Sequence, residues 1–285
     1  MKRIFTATSQ GARLKTIDLT KLEKMKKIIL FTQTIFIMIL PIKSFSWGRK
    51  GHEIVAEVAF HYLSDSTKSK VLHYLGKTSI EDAANWMDEM RSNDYYNYMR
   101  TWHYVNIEKG ESYTPSTTDR NILIILNSAI AELRNYRTMK DKDVRERLYY
   151  IFHLIGDLHQ PLHVGYGIDK GGNTINVSFM FKNRGSNLHR VWDTDIIEQK
   201  NIQLDSVLQI EKKYTAEELK DFKQIKIMEW TKESRSLLDS IYDFKDNFLD
   251  PEYVEKNTPV IESQLFLAGI RLTAILEKIF DQPLN

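Results

Sequence analysis

In the stretch IFHLIGDLHQPLH, His153 and Asp157 stand four residues apart within an otherwise apolar run, and His163 follows just past Pro161. Four residues make about one helical turn, so the imidazole and the carboxylate would leave the same face of a helix. The segment NLHRVWDTD repeats the spacing with His189 and Asp193. A single pair of this kind is more often a satisfied buried contact than a ligand set; its repetition points to metal. Imidazole and carboxylate donors without thiolate suit zinc in an open, catalytic site, where a position is left for water.

Asp88 in NWMDEMR and His103 in TWHYVN sit among apolar and aromatic neighbours. A lone charge or imidazole is expensive there, so each is expected to have a partner. Taken one at a time, an Asp88–Arg91 salt bridge and a hydrogen-bonded His103 would suffice. His52 lies five residues after Trp47. If processing exposes Trp47, its free α-amine and carbonyl oxygen can chelate a metal through a five-membered ring. The remaining histidines, His61, His73 and His159, read as helix, packing or supporting residues outside the metal-binding set. Trp86, Trp102, Trp192 and Trp230 read as core or as shielding for the site.

The elements that must position these residues are mostly helical. Apolar residues recur at helical spacing over Glu53 to Leu63, Lys68 to Leu75, Ile80 to Arg91, Asp119 to Arg137 and Asp141 to Gln160, the last ended by Pro161. Thr215 with Glu218 forms a capping box expected to open a long helix toward Tyr242. Pro259 is expected to lead into a final helix through Ile279. The exception is Gly171-Gly172-Asn173 followed by alternating residues from Thr174 to Phe181 and a glycine at 185, which reads as a small β-hairpin. No repeat or linker divides residues 47–285, so we expect an all-α class chain: a single, mainly helical domain with one small hairpin.

Residues 25–46, MKKIILFTQTIFIMILPIKSFS, have a basic start, a short apolar stretch broken at Pro41, and a small-x-small site at Ser44-Phe45-Ser46. That is the pattern of a cleaved signal peptide rather than an anchor. Residues 1–46 are therefore expected to be a leader and 47–285 the exported domain, periplasmic or extracellular and without stable membrane association. Residues 1–24 fit no part of the signal, and Met25 reads as an initiator. The leader holds nine of the 40 basic and two of the 38 acidic side chains. The remaining 31 and 36 leave a formal charge of −5. Polyanion binding through a generally basic surface is excluded by that balance, so any phosphate must be held by local charge. The chain has no cysteine, which excludes disulfides and thiolate ligands even in an exported protein.

The motifs together resemble the zinc-dependent single-strand nucleases of fungi and plants, the bifunctional nucleases, whose helical fold is shared with the zinc phospholipases C. The resemblance covers essentially all of residues 47–285. It is carried by Trp47-Gly48 with His52, by WMDEMR, WHYVN, HLIGDLHQPLHVG, GGNTINV and NLHRVWDTDII, and by the tail QLFLAGIRLTAILEKIF.

The resemblance implies three zinc ions. One would be held by Asp88, His103, His153 and Asp157, a second by His163, His189 and Asp193, and a third by the amine and carbonyl of Trp47 with His52 and Asp157. Asp88, Arg91 and Asp157 would serve catalysis, with Arg91 contacting phosphate. Tyr104 would stack on a base, and Asn106 and Asn173 would line the substrate site. Three zinc ions with three aspartates would leave a local charge of about +3, supplying the attraction that the rest of the domain lacks.

The implied activity is endonucleolytic hydrolysis of single-stranded DNA and RNA to 5′-phosphate ends, with 3′-nucleotides as further substrates, by a monomer. Single strands would be preferred because a base must be unstacked to lie on an aromatic ring. The absence of cysteine departs from the disulfide-bonded eukaryotic members and points to a bacterial exported protein. Asn106 replaces an acidic residue of some relatives, so base preference does not carry over. Two rivals remain: a phospholipase C or other phosphoesterase of the same fold, and a non-catalytic zinc-binding protein. A storage site needs neither Arg91 nor Tyr104.

Overall fold

The computed structural model describes residues 47–281, apart from residue 117 and residues 181–184. The leader and signal peptide expected over residues 1–46 lie outside the described residues.

The architecture is mainly helical around one central helix. Helix α1 (Arg49–Tyr62) turns Ile54, Val55, Val58 and Ala59 inward, with His52 on the same buried side. Helix α2 (Asp65–Leu75) starts at a Ser64 cap and closes at Gly76, whose φ of +67° a side chain would strain. Helix α3 (Ile80–Met90) is capped by Ser79 and ends with Arg91 as its C-cap residue. A 3₁₀ segment, Asp94–Met99, then leads to the strip carrying His103 and Tyr104. Helix α4 (Ile122–Leu133) is shorter than the expected 119–137, because Asn121 caps its start through the Leu123 and Ile124 amides.

Helix α5 (Asp141–Leu158) is the centre, and every residue from Leu148 to Leu158 is buried. Helices α1, α3 and α4 pack around it. An α-helix hydrophobic all round belongs in the interior of a fold. His153 and Asp157 are the exceptions on it, and they sit in its last two turns. His159 is its C-cap residue, and Gln160 caps the 3₁₀ turn Pro161–Val164 that presents His163.

Strands β1 (Asn176–Phe179) and β2 (Gly185–Asn187) pair antiparallel, Asn176 opposite Asn187, as the expected hairpin. A third strand, β3 (Phe248–Leu249), joins the free edge of β1 in parallel, giving the order β2-β1-β3. Two residues are too few to carry an alternation signal, so β3 is invisible in the sequence. Directly after β2, Leu188–Arg190, a π turn over Val191–Asp195 and Ile196–Gln199 run on as helix α6. The π turn holds Asp193 one turn beyond His189; such turns recur at functional sites.

After α7 (Leu204–Leu208), the structure corrects two expected elements. The long helix expected from Thr215 to Tyr242 is three: α8 (Ala216–Phe222), α9 (Ile227–Ser236) and α10 (Leu238–Ile241). The capping box is present, but α8 buries no residue, whereas α9 must turn Ile227, Trp230 and Ser234 into the core. One straight helix cannot present both faces. The final helix, α11 (Pro251–Phe280), begins eight residues before Pro259, which lies inside it. Pro259 removes the intrahelical donor to the Glu255 carbonyl, and both residues lie on the exposed side of the helix, where that loss is least costly.

Helix α11 lies mainly against α1, and the approach is set by Gly269, where a Cβ would stand 2.5 Å from Val58 Cβ. It is also long and apolar enough to cross a membrane, but 78% of its most apolar window is buried inside the protein, as befits a core helix.

Candidate metal centre

The end of α5, the C-terminal turn of α3 and the strip after the Asp94–Met99 segment bring four sequence-predicted residues together. His153 Nε2 stands 3.2 Å from Asp157 Oδ2 and 3.8 Å from Asp88 Oδ1. His103 Nδ1 is 3.1 Å from the same Asp157 oxygen, 3.8 Å from Asp88 Oδ1 and 3.0 Å from His153 Nε2. All four side chains are buried. His153 donates its Nδ1 proton to the Ala84 carbonyl at 2.7 Å, so in the neutral ring Nε2 carries the lone pair. A carbonyl partner of this kind is how metal-binding histidines are oriented.

Four ligand atoms held tetrahedrally about 2.0–2.1 Å from zinc would lie about 3.3–3.4 Å from one another. The observed separations of 3.0–3.8 Å bracket that value. Two imidazole nitrogens and two carboxylate oxygens at such spacing repel one another unless a cation lies between them.

A second group forms where the 3₁₀ turn Pro161–Val164 faces α6. His189 Nε2 is 3.2 Å from Asp193 Oδ2, and His163 Nε2 is 3.7 Å from Asp193 Oδ1. Both rings are oriented by carbonyls, His163 Nδ1 donating to His103 O at 2.8 Å and His189 Nδ1 to Gly171 O at 2.6 Å. Asp193 Oδ2 and His163 Nε2 are buried and have no hydrogen-bond partner among the described residues. Three protein donors, with no fourth grouped with them among the described residues, is the composition of an open zinc site.

His52, from α1, forms a third group with His153 and Asp157. Its Nε2 lies 3.4 Å from Asp157 Oδ1, and its ring stacks on His153 with centroids 4.0 Å apart. Gly156 makes room for it, since a Cβ there would come within 2.7 Å of His52 Nδ1. Trp47 is fully buried beside this group, and the next residue, Gly48, donates its amide to Asp193 O at 2.7 Å. The residue expected to carry the free amine is thus packed between the groups that Asp157 and Asp193 anchor.

Electrostatics agree with a cation-binding pocket. Burial alone would raise the Asp157 carboxyl, but His153 and His163 overcome it and hold the group well below the usual carboxylate range. Asp88 is likewise lowered against burial by His153 and His103. Burial, with His153 beside it, pushes His52 down to about 4. His163 moves the other way, to about 9, because Asp157 and Asp193 outweigh the burial that opposes them.

A cleft of about 450 Å³ opens over the groups and is lined by Arg91, His103, Tyr104, Asn106, His163, Lys170, Asn173 and His189, among others. Arg91 donates from Nη1 to Asp88 Oδ1 at 3.2 Å, which aims a cation into the cleft next to the first group. Tyr104 and Asn106 are exposed and Asn173 is half-buried at the rim. All the residues named from the sequence therefore meet at one site. His159 stays out: it donates from Nδ1 to Ile155 O and accepts from Arg271, deep in the core.

Three contributors were not anticipated. Gln160 donates from Nε2 to Asp193 Oδ1, fixing a carboxylate of the second group. Asp169 accepts from the Gly172 amide and from the Tyr242 hydroxyl, holding the Gly171–Gly172 turn whose carbonyl orients His189. Lys170 lines the cleft at a φ of +55°. The sequence signal for Gln160 was its place directly before Pro161, and for Asp169 its place two residues before the double glycine.

Residues 47–281 match the S1/P1 Nuclease family. The chain is 27% identical to Endonuclease 2 of Arabidopsis thaliana, over 90% of this chain and 99% of the relative. It is 25% identical to Nuclease S1 of Aspergillus oryzae, over 84% and 94%. To Nuclease P1 of Penicillium citrinum it is 31% identical, over 52% and 57%. Since the family match takes in nearly the whole described fold and every residue of the three groups, the chain belongs to the S1/P1 nuclease family.

Proposed function

We propose that this protein is an exported, zinc-dependent hydrolase that cuts phosphodiester bonds of single-stranded DNA and RNA to 5′-phosphate ends and also accepts 3′-nucleotides. The observation that carries the reading is the convergence of His103 Nδ1, His153 Nε2, Asp88 Oδ1 and Asp157 Oδ2 beneath a cleft that also holds Arg91 and Tyr104. The family and the relatives named Nuclease and Endonuclease support the substrate class.

The residues present fit zinc. Asp88, His103, His153 and Asp157 would hold one ion, His163, His189 and Asp193 a second, and His52, Asp157 and the freed amine and carbonyl of Trp47 a third. Zinc bound there supplies Lewis acidity, polarising a phosphoryl oxygen and lowering the pKa of water toward ~7. The chain's own part is orientation. Arg91, held by Asp88, neutralises a non-bridging phosphate oxygen. Tyr104 receives an unstacked base, while Asn106 and Asn173 offer hydrogen bonds to its edge. Asp157, in reach of His52, His103 and His153, couples the first and third groups. Export and removal of residues 1–46 would complete the third group, giving a monomer free of the membrane.

The test is hydrolysis of single-stranded DNA, RNA and phosphatidylcholine by the exported protein, before and after chelation and zinc restoration. Nucleic acid cleavage lost on chelation and regained with zinc is expected. Preference for phosphatidylcholine, or full activity without zinc, would overturn the reading.

A further inference from the structure

The stretch between the cleft-lining Arg91 and the candidate ligand His103 reads RSNDYYNYMRTWH. It leaves the cleft at Arg91 and returns to it at His103, so everything between lies within a few residues of the site. Its four aromatic rings all lie outside the buried core: Tyr95 is 76% exposed, Tyr98 is 50% exposed, and Tyr96 and Trp102 are half-buried. Beyond His103, Tyr104 is 38% exposed. Exposed rings this large in one short segment are costly in a soluble protein unless they meet something.

The rings are also held. Tyr95 meets Tyr96 edge-on at 5.1 Å, Tyr96 lies 6.3 Å from Tyr98, and Tyr98 meets Trp102 at 5.2 Å. Trp102 in turn rests edge-on against Tyr150 at 5.4 Å, whose hydroxyl donates to Glu146, and Tyr96 stands edge-on to Trp86 at 5.3 Å. The ladder is thus anchored at its inner end in the core. Arg100, exposed, lies within the same segment, and Asp94 is engaged by the Asn97 side chain at 3.1 Å. Held aromatic rings with an arginine in the same segment, flanked along the chain by Arg91 and His103 of the cleft, are features that grip single strands without reading sequence, because every base has a face to stack.

We propose that Tyr95, Tyr98 and Trp102, with Arg100, form a second binding platform that carries nucleotides of a single strand beyond the one held at Tyr104. The proposal rests on the nuclease reading of the cleft. It makes long strands better substrates than short ones, although the domain as a whole is acidic.

The measurement is kcat/KM for a twenty-residue thymidine oligonucleotide relative to the thymidine dinucleotide, in the zinc-loaded exported protein. The wild type should favour the oligomer. In Tyr95→Ala/Tyr98→Ala that preference should fall about ten-fold, mainly through KM, with the dinucleotide unchanged. Tyr95→Phe/Tyr98→Phe, which keeps the rings, should retain it. Arg100→Ala should weaken the salt dependence of KM for the oligomer only. An unchanged preference in the alanine variant, or equal loss on both substrates, would overturn the platform alone. Failure of the wild type to cleave either substrate would overturn the nuclease reading itself.

Discussion

His103 Nδ1 and His153 Nε2 stand 3.0 Å apart, within 3.8 Å of an Asp88 oxygen and 3.2 Å of an Asp157 oxygen. Because His153 already donates its Nδ1 proton to Ala84, a neutral ring leaves a lone pair facing His103. A proton can bridge one such pair of atoms; a divalent cation can satisfy all four. His153→Ala should therefore cost the protein at least one bound zinc by elemental analysis, along with nuclease activity, while His159→Gln should keep its full metal content.

Gln160 tests the support of the second group. Its side-chain amide is buried and donates to Asp193 Oδ1, so Gln160→Ala leaves that carboxylate free to turn. Loss of such a partner typically weakens metal binding about 10–100-fold. Competition with a zinc-binding dye should show one weakened site among the rest; uniform affinity would contradict the role.

Arg91 is expected to act on the phosphate and not on the metal. Arg91→Lys keeps the charge but loses the planar fork that touches both Asp88 and the cleft. A drop of about 10²-fold in kcat/KM with unchanged zinc content is expected, on the scale of removing one donor to a charged transition state.

Two of the buried histidines set opposite slopes on the pH response of the metal-free protein. His52, lowered to about 4, is neutral in the fold and protonated in the unfolded chain between pH 4 and 6.5, so its contribution grows as pH rises through that range. His163, raised to about 9, contributes fully below 6.5 and loses its contribution as pH rises through 9. Thermal melts of chelated protein should accordingly peak near pH 6.5. Zinc affinity at the second group should climb about ten-fold per pH unit from there toward 9, as the proton on His163 is displaced. A flat profile on either measurement would contradict these charge states.

Gly269→Ala examines the helix contact behind the site. The added Cβ would meet Val58 Cβ at 2.5 Å, forcing α11 away from the helix that carries His52. Overpacking of a core contact usually costs about 1–3 kcal/mol, read as a lowered midpoint in urea. Gly185→Ala, with open space around it, should be nearly neutral.

Amino-terminal sequencing of the exported protein should return Trp47-Gly48-Arg49, and a precursor that keeps residues 1–46 should be nearly inactive. A different first residue would remove the third metal site, since its amine would no longer be that of Trp47.

The candidate donor set was legible in the sequence because paired histidines and aspartates leave local marks. The four-residue spacings of His153 with Asp157 and of His189 with Asp193 are properties of a helix turn, as is the capping box at Thr215, and all three appear as expected. Element ends in the last third of the domain were less legible. Whether Thr215 to Tyr242 makes one helix or three depends on which side of each turn meets the core, and β3 is a strand only because β1 offers it an edge. What tertiary structure alone decided is convergence: Asp88 and His103 are separated from His153 by dozens of residues, and Gln160, Asp169 and the Ala84 carbonyl join the site through contacts that no spacing encodes. A sequence specifies donor types and local geometry; the angles at which donors meet are set by how buried helices pack, and a glycine at 156 or 269 settles that through close approach.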